Sequence, residues 1–126
     1  MKICILHIGH SAPNKASQSV PAPVRFINAL KTRLTDVQWT VVSAVNEKLP
    51  DITAFDGYII TGGKYSVFDQ ISWLNNLFYF LQAIIEEQLP LIGICYGHQA
   101  IAKVMGGKEA RSPKGYGVGL MPVNVI

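Results

Sequence analysis

The sequence predicts an α/β protein in which a mainly parallel sheet lies between two layers of helices. Three observations carry that expectation. Short apolar runs recur at residues 2–8, 38–45, 56–61 and 90–95. Stretches with apolar residues at helical spacing alternate with them. The first run is apolar almost throughout, as in strands covered on both faces. Strands alternating with helices imply a parallel sheet with right-handed crossovers. Sites in such sheets form at the carboxyl ends of the strands.

The elements follow in order. Lys2 to Ile8 is the first strand, and its single basic residue and short apolar run lack the clean cleavage site of a secretory leader. Residues 9–23 are rich in Gly, Ser, Asn and Pro and read as a long loop. Val24, Ile27, Leu30 and Leu34 recur at helical spacing, with Pro23 near the helix start. Gln38 to Val45 is β-branched and strand-like. Asp56 to Thr61 is a third strand that runs into Gly62-Gly63. Leu74, Leu77, Phe78, Leu81, Ile84 and Ile85 mark a strong amphipathic helix ending before Pro90, and its aromatics Trp73, Phe78, Tyr79 and Phe80 read as packing surface. Residues 90–95 form the fourth strand. The next helix buries Ala100, Ile101, Val104 and Met105 and stops at Gly106-Gly107. The tail from Gly115 to Ile126 reads as strand broken at Pro122.

A length of 126 residues fits one domain, taken here as 1–126, and a hydrophobic content of 49% supports a real core. No run approaches the roughly 20 apolar residues of a membrane span. Two cysteines make no disulfide framework, which points to a reducing cytoplasm. The net charge is +3. Lys103, Lys108, Arg111 and Lys114 cluster near the end of the chain, and without aromatic interleaving they read as a solvated face rather than a nucleic-acid patch. Gly57 to Lys64 misses the phosphate-loop spacing by one residue, and Tyr65 stands where that loop needs a hydroxyl for magnesium. No His/Cys cluster has metal-ligand spacing, and no cofactor is expected.

The chemistry concentrates at Gly93-Ile94-Cys95-Tyr96-Gly97. Its form, Gly-x-nucleophile-x-Gly between a strand and a helix, is that of a nucleophile elbow with Cys in place of Ser. A side chain two residues before or after the nucleophile would collide with the crossing backbone, hence the glycines. The nucleophile itself is driven toward a strained conformation that holds its side chain clear of the turn. Cys95 also stands at a helix N-terminus, where unpaired N–H groups favour negative charge. The N–H of Tyr96 can face an oxyanion, and Gly62-Gly63 at the end of the preceding strand can offer a second bare N–H. The competing reading of Cys95 is a small buried hydrophobe.

Gly93 to Gln99 resembles the nucleophile motif of class I, triad-type glutamine amidotransferases. Asp56 to Gly63 resembles their oxyanion strand, and Ser66-Val67 with the following helix resembles the GMP synthase-like branch, as does the tail from Gly115 to Val123. The resemblance implies a three-layer α/β/α sandwich with a flavodoxin-like sheet, of which this chain is the amino-terminal portion. It implies that Cys95 attacks the side-chain amide of L-glutamine and releases ammonia through a γ-glutamyl thioester. Gly63 and Tyr96 would supply the oxyanion N–H groups, and Gly62 and Gln99 would hold the substrate. The ammonia would pass to a synthetase domain or subunit.

Two features depart from that pattern. Lys64 stands where proline often follows Gly-Gly. No His-x-Glu follows the corner, although the family activates its cysteine with that pair. His98 lies on the new helix, where it would pack or cap. His7 and His10 end the first strand, which the third strand would separate from the fourth. Glu86 and Glu87 lie at the far end of their helix, where they would be solvated. The chain by itself is therefore expected to have little glutaminase activity, and an exposed sheet edge would invite pairing with another chain. Two other readings stay open: a non-catalytic binding module on the same scaffold, and another cysteine-elbow enzyme such as a γ-glutamyl peptidase or a DJ-1/PfpI-type protein.

Overall fold

The computed structural model describes residues 1–9, 20–113 and 115. Its elements are β1 (Lys2–His7), α1 (Ala22–Leu30), β2 (Gln38–Ser43), a single 3-10 turn (Ile52–Ala54), β3 (Gly57–Ile60), α2 (Ser72–Glu86), β4 (Leu91–Gly93) and α3 (Tyr96–Val104). The expected loop at 9–23 falls largely, and the expected tail strand almost wholly, outside the described residues, as do His10 and Lys114.

The four strands form one sheet in the order β2-β1-β3-β4, and every pairing is parallel. The register places Leu6 beside Val42 and Ile60, and Ile60 beside Gly93. β3 therefore separates β1 from β4, as the sequence suggested, and brings its carboxyl end beside that of β4. Hydrogen bonds carry the ladder one residue past the strands: Ala44 N donates to His7 O at 3.0 Å, Thr61 N to Leu6 O at 3.0 Å and Ile94 N to Ile60 O at 3.0 Å.

The main core lies on one face of this sheet. Cys4, Leu6, Tyr58 and Ile60 from the strands pack with Leu74, Leu77, Phe80, Leu81 and Ile84 of α2 and with Tyr96 and Ala100 of α3. The α2 stripe follows the expected i, i+3, i+4, i+7 spacing. Tyr58 anchors the stack, with its ring edge-on to Phe55 and Phe80 at 5.8 and 5.5 Å, while its hydroxyl donates to Ile52 O at 2.9 Å.

Several boundaries and faces differ from expectation. β2 stops at Ser43, two residues early, where the Glu47 carboxylate accepts the Ser43 N–H at 2.6 Å and turns the chain. α1 stops at Leu30, so Leu34 lies beyond it, and Val24 is exposed. The inward stripe of α1 starts from Pro23, which is buried, and continues through half-buried Phe26, Ile27 and Leu30. Met105 sits at the C-cap of α3 and is 68% exposed, because the helix ends there in the left-handed Gly106, φ 79. Tyr79 points away from the core. Glu86 and Glu87 are exposed, as expected.

The contrast along α2 is testable. Leu81 is fully buried and Tyr79 is 74% exposed. Leu81→Ala is expected to cost about 2–5 kcal/mol, and Tyr79→Ala to stay within about 0.5 kcal/mol. Urea unfolding would measure both, and equal losses would contradict this packing.

Candidate active site

Cys95 is the N-cap of α3, with φ 54 and ψ −108. A non-glycine residue there pays about 1–3 kcal/mol of backbone strain. The surroundings enforce it. A Cβ on Gly93 would stand 2.5 Å from the Gly97 carbonyl carbon and oxygen, and one on Gly97 would stand 2.6 Å from Ile60 O. Both glycines are thus required by close backbone approach, the first to the incoming helix and the second to the end of β3. Inside the corner, Gly97 N donates to Ile94 O at 3.0 Å and Gln99 N to Cys95 O at 3.3 Å.

The corner faces the loop after β3. A Cβ built on Gly62 would lie 3.0 Å from Cys95 Cβ and 3.5 Å from Cys95 Sγ. The Gly62 backbone therefore lies directly against the cysteine. Gly63 is pressed from the other side, since a Cβ there would stand 2.5 Å from Ile8 Cγ2 and 2.6 Å from Ile8 O. Gly63 has no room for a side chain, and at Gly62 one would fit only if Cys95 gave way by a few tenths of an ångström. Lys64, the next residue, is exposed, with Nζ 6.0 Å from the Tyr65 ring centroid.

The other expected residues divide. Tyr96 follows Cys95 directly, so its peptide N–H belongs to the corner, while its side chain is buried in the core. Burial, and then the charge of Asp69, push its phenol well above the usual tyrosine range. Its Oη has no hydrogen-bond partner among the described residues. Gln99 is exposed one turn into α3. His98 is also exposed, so it neither packs nor caps: Gly97, not His98, is the residue turned toward β3. His7 lies across β3, with Nδ1 3.3 Å from Thr61 Oγ1, and burial lowers its pKa.

Thr61 is the residue that sequence reasoning missed. It is fully buried. Its Oγ1 accepts the Ile8 N–H at 3.0 Å and donates to Gly62 O at 3.0 Å. It therefore fixes the Gly62 peptide to β1. A threonine closing the run Tyr58-Ile59-Ile60, immediately before Gly-Gly, is the signal that could have found it.

The two thiols have opposite environments. Cys95 is exposed, whereas Cys4 is buried in β1 and burial pushes its pKa up to about 12. Among the described residues no group of three or more His, Cys, Asp or Glu could hold a metal ion, and no helix is long and apolar enough to cross a membrane.

Comparison with known proteins gives the family. Residues 22–125 match the family model for glutamine amidotransferase class-I. The chain belongs to the class-I glutamine amidotransferase family. Over 91 residues it is 31% identical to gamma-glutamyl peptidase 3 of Arabidopsis thaliana, a match covering 70% of this chain and 36% of that one. Over 83 residues it is 34% identical to a glutamine-hydrolyzing GMP synthase subunit of Saccharolobus solfataricus, covering 64% and 41%. A crystal structure of a glutamine amido transferase from Methylobacillus flagellatus superposes with a TM-score of 0.67 at 25% identity, over 88% of this chain and 41% of that one. The chain thus spans less than half the length of these relatives.

Two outcomes test the amidotransferase-type corner. At about pH 8, iodoacetamide is expected to label Cys95 in the folded chain and to leave Cys4 unmodified until urea is added, because a thiol with a pKa near 12 stays protonated. Peptide mass spectrometry reads both sites. Gly97→Ala is expected to cost about 1–3 kcal/mol by overpacking against Ile60, visible as a lower urea midpoint.

Proposed function

We propose that Cys95 is the nucleophile of a γ-glutamyl transfer site that cleaves the side-chain amide of L-glutamine. The observation that carries this reading is the positive φ of Cys95, which thrusts its sulfur against the Gly62 backbone. The thiolate adds to the amide carbon, and the carbonyl electron pair moves onto oxygen. The N–H groups of Gly63 and Tyr96 receive that oxyanion, where preorganised donors are each worth about 2.7–4 kcal/mol in the transition state. Collapse breaks the C–N bond, the nitrogen gains a proton, and ammonia leaves a γ-glutamyl thioester. Water then attacks the thioester and returns glutamate and free thiol. Gly62 and Gln99 line the path by which the γ-glutamyl chain approaches.

The relatives support two fates for the leaving amine. The glutamine-hydrolyzing GMP synthase supports ammonia passed to a synthetase partner. The gamma-glutamyl peptidases support release of an amine from a γ-glutamyl peptide. Both use the same thioester, so the corner serves either. Neither described histidine is assigned as the base: His7 is engaged by Thr61, and His98 faces outward. A reducing compartment such as the cytoplasm suits a working thiol, and β4, with a pairing partner only on its β3 side among the described strands, offers an edge for association.

A chloroketone analogue of glutamine, with chloromethyl in place of the amide nitrogen, tests the reading. The sulfur bonds to the chloromethyl carbon and chloride leaves. We expect saturable labelling of Cys95, slowed by free glutamine or by a γ-glutamyl dipeptide and absent in Cys95→Ser. Labelling that neither ligand slows would refute the site. Which ligand protects at lower concentration distinguishes the two fates. The 126-residue chain is expected to release little ammonia from glutamine, and rapid release lost on Cys95→Ser would reverse that.

A further inference from the structure

Lys103 was expected on a solvated face, and it is not there. It lies on α3 two turns beyond the corner, on the order of 12 Å along the helix axis from Cys95 at about 1.5 Å per residue. Its half-buried side chain reaches to the loop between β3 and α2, where Nζ donates to Val67 O at 2.7 Å. The ammonium stands 5.3 Å from the ring centroid of Phe78 on α2 and 5.8 Å from that of Phe68 in the loop. One cation therefore joins three segments: the helix that carries Cys95, the loop that begins with Gly62-Gly63, and the helix that ends that loop.

Other polar bonds in this loop are local. Ser66 N donates to Asp69 Oδ2 at 2.9 Å, Phe68 N to Ser66 Oγ at 3.2 Å, and Asp69 N to Ser66 O at 3.1 Å. They shape a turn but do not tie it to α3. Packing holds the loop at Val67, which is buried in the core, and at Tyr65, whose ring is edge-on to that of Trp73 at 5.0 Å, but beside Phe68, Asp69, Asn75, Phe78 and Lys103 a cavity of about 520 Å³ opens. The Val67 side chain turns into the core, and the lysine bond fixes its carbonyl from the helix side. A cation seated between aromatic faces and bonded to a carbonyl is a directional tether.

We propose that Lys103 is a positioning residue, which holds the loop after β3, and with it the Gly62–Gly63 peptide, in register with Cys95. This rests on the reading of the corner as an acyl-transfer site. The tether matters because a shift on the order of 1 Å between nucleophile and oxyanion donors costs rate steeply, up to about 100-fold. It acts through the loop and touches no reacting atom.

Two reagents separate positioning from mere stability. The chloroketone needs its carbonyl seated against the Gly63 and Tyr96 N–H groups, whereas iodoacetamide needs only an accessible sulfur. In Lys103→Met we expect chloroketone labelling of Cys95 to slow roughly tenfold or more, with the iodoacetamide rate changed less than about twofold. Lys103→Arg, which keeps a cation over the Phe68 and Phe78 rings and N–H donors for Val67 O, should recover most of the loss. Phe68→Ala, at a 43% exposed position that folding tolerates, should slow the chloroketone in the same direction by less. Amide exchange over residues 62–68 should rise in Lys103→Met. Equal chloroketone rates in the parent, Lys103→Met and Phe68→Ala would overturn the proposal and leave the acyl-transfer reading standing. A parallel fall with both reagents, tracking a lower unfolding midpoint, would also overturn it, reducing Lys103 to a stability role. Absence of saturable labelling in the parent would overturn the acyl-transfer reading and this inference together.

Discussion

The end of β3 and the start of α3 share a space too small for a methyl group. A Cβ on Gly97 would stand 2.6 Å from Ile60 O, and every feature of the candidate site depends on that approach. It exists because Ile60 pairs with Gly93 and the ladder continues through Ile94 N to Ile60 O. With the two strand ends locked in register, the chain leaving β4 has to turn at once, and the helix it enters lies directly over β3. The same register carries the next residues of β3, Gly62 and Gly63, to the rim beside Cys95. The thiol and the glycine loop are thus neighbours by strand pairing, before any side chain is considered.

The strain at Cys95 is a property of this frame rather than of the cysteine. Gln88 is the other non-glycine residue with a positive φ among the described residues, at 55. Its case is ordinary: it follows the last turn of α2, where Leu89 N donates to Ile84 O at 3.0 Å and closes the helix. Cys95, with ψ −108, lies outside the left-handed helical basin altogether. Such a conformation persists only where the surroundings over-determine it. Here they include the buried Tyr96 and Ala100, which anchor α3 in the core against α2. Burial of residues of that size is worth a few kcal/mol together, enough to offset the strain of one residue.

Much of this was legible in the sequence, and the reason is local. β1, β3 and α2 declare themselves by unbroken apolar runs or a long helical stripe, and Gly93 and Gly97 declare the corner because the steric demand acts within five residues. The misreadings have other causes. On α1, Pro23 counted as a helix-start signal when it also supplies the buried face, so the stripe was phased one residue late on Val24. Met105 fits the apolar period of α3, but the helix ends before that period can bury it. Thr61 accepts from Ile8, and Lys103 donates to Val67, across more than thirty positions of sequence. Nothing local distinguishes a lysine that tethers a loop from one that faces water. That difference appears only when the fold brings Val67, Phe68 and Phe78 around it.

The two cysteines show how position within one sheet decides chemistry. Both belong to strand segments of similar composition, Ile-Cys-Ile in β1 and Gly-Ile-Cys at the end of β4. Cys4 pairs in the middle of the ladder, with Thr40 on one side and Tyr58 on the other, and its side chain enters the core. There the neutral thiol is favoured because burial penalises charge. Cys95 stands one residue past the last ladder bond, where the backbone no longer alternates and the side chain has left both faces of the sheet. A strand interior makes a sulfur a packing atom, and a strand end under steric compulsion makes it an accessible one. Gly93 and Gly97 compel the turn, and a third glycine, Gly62, leaves the space beside the sulfur free of a side chain, so strained backbone and open access come from glycines on two neighbouring strand ends.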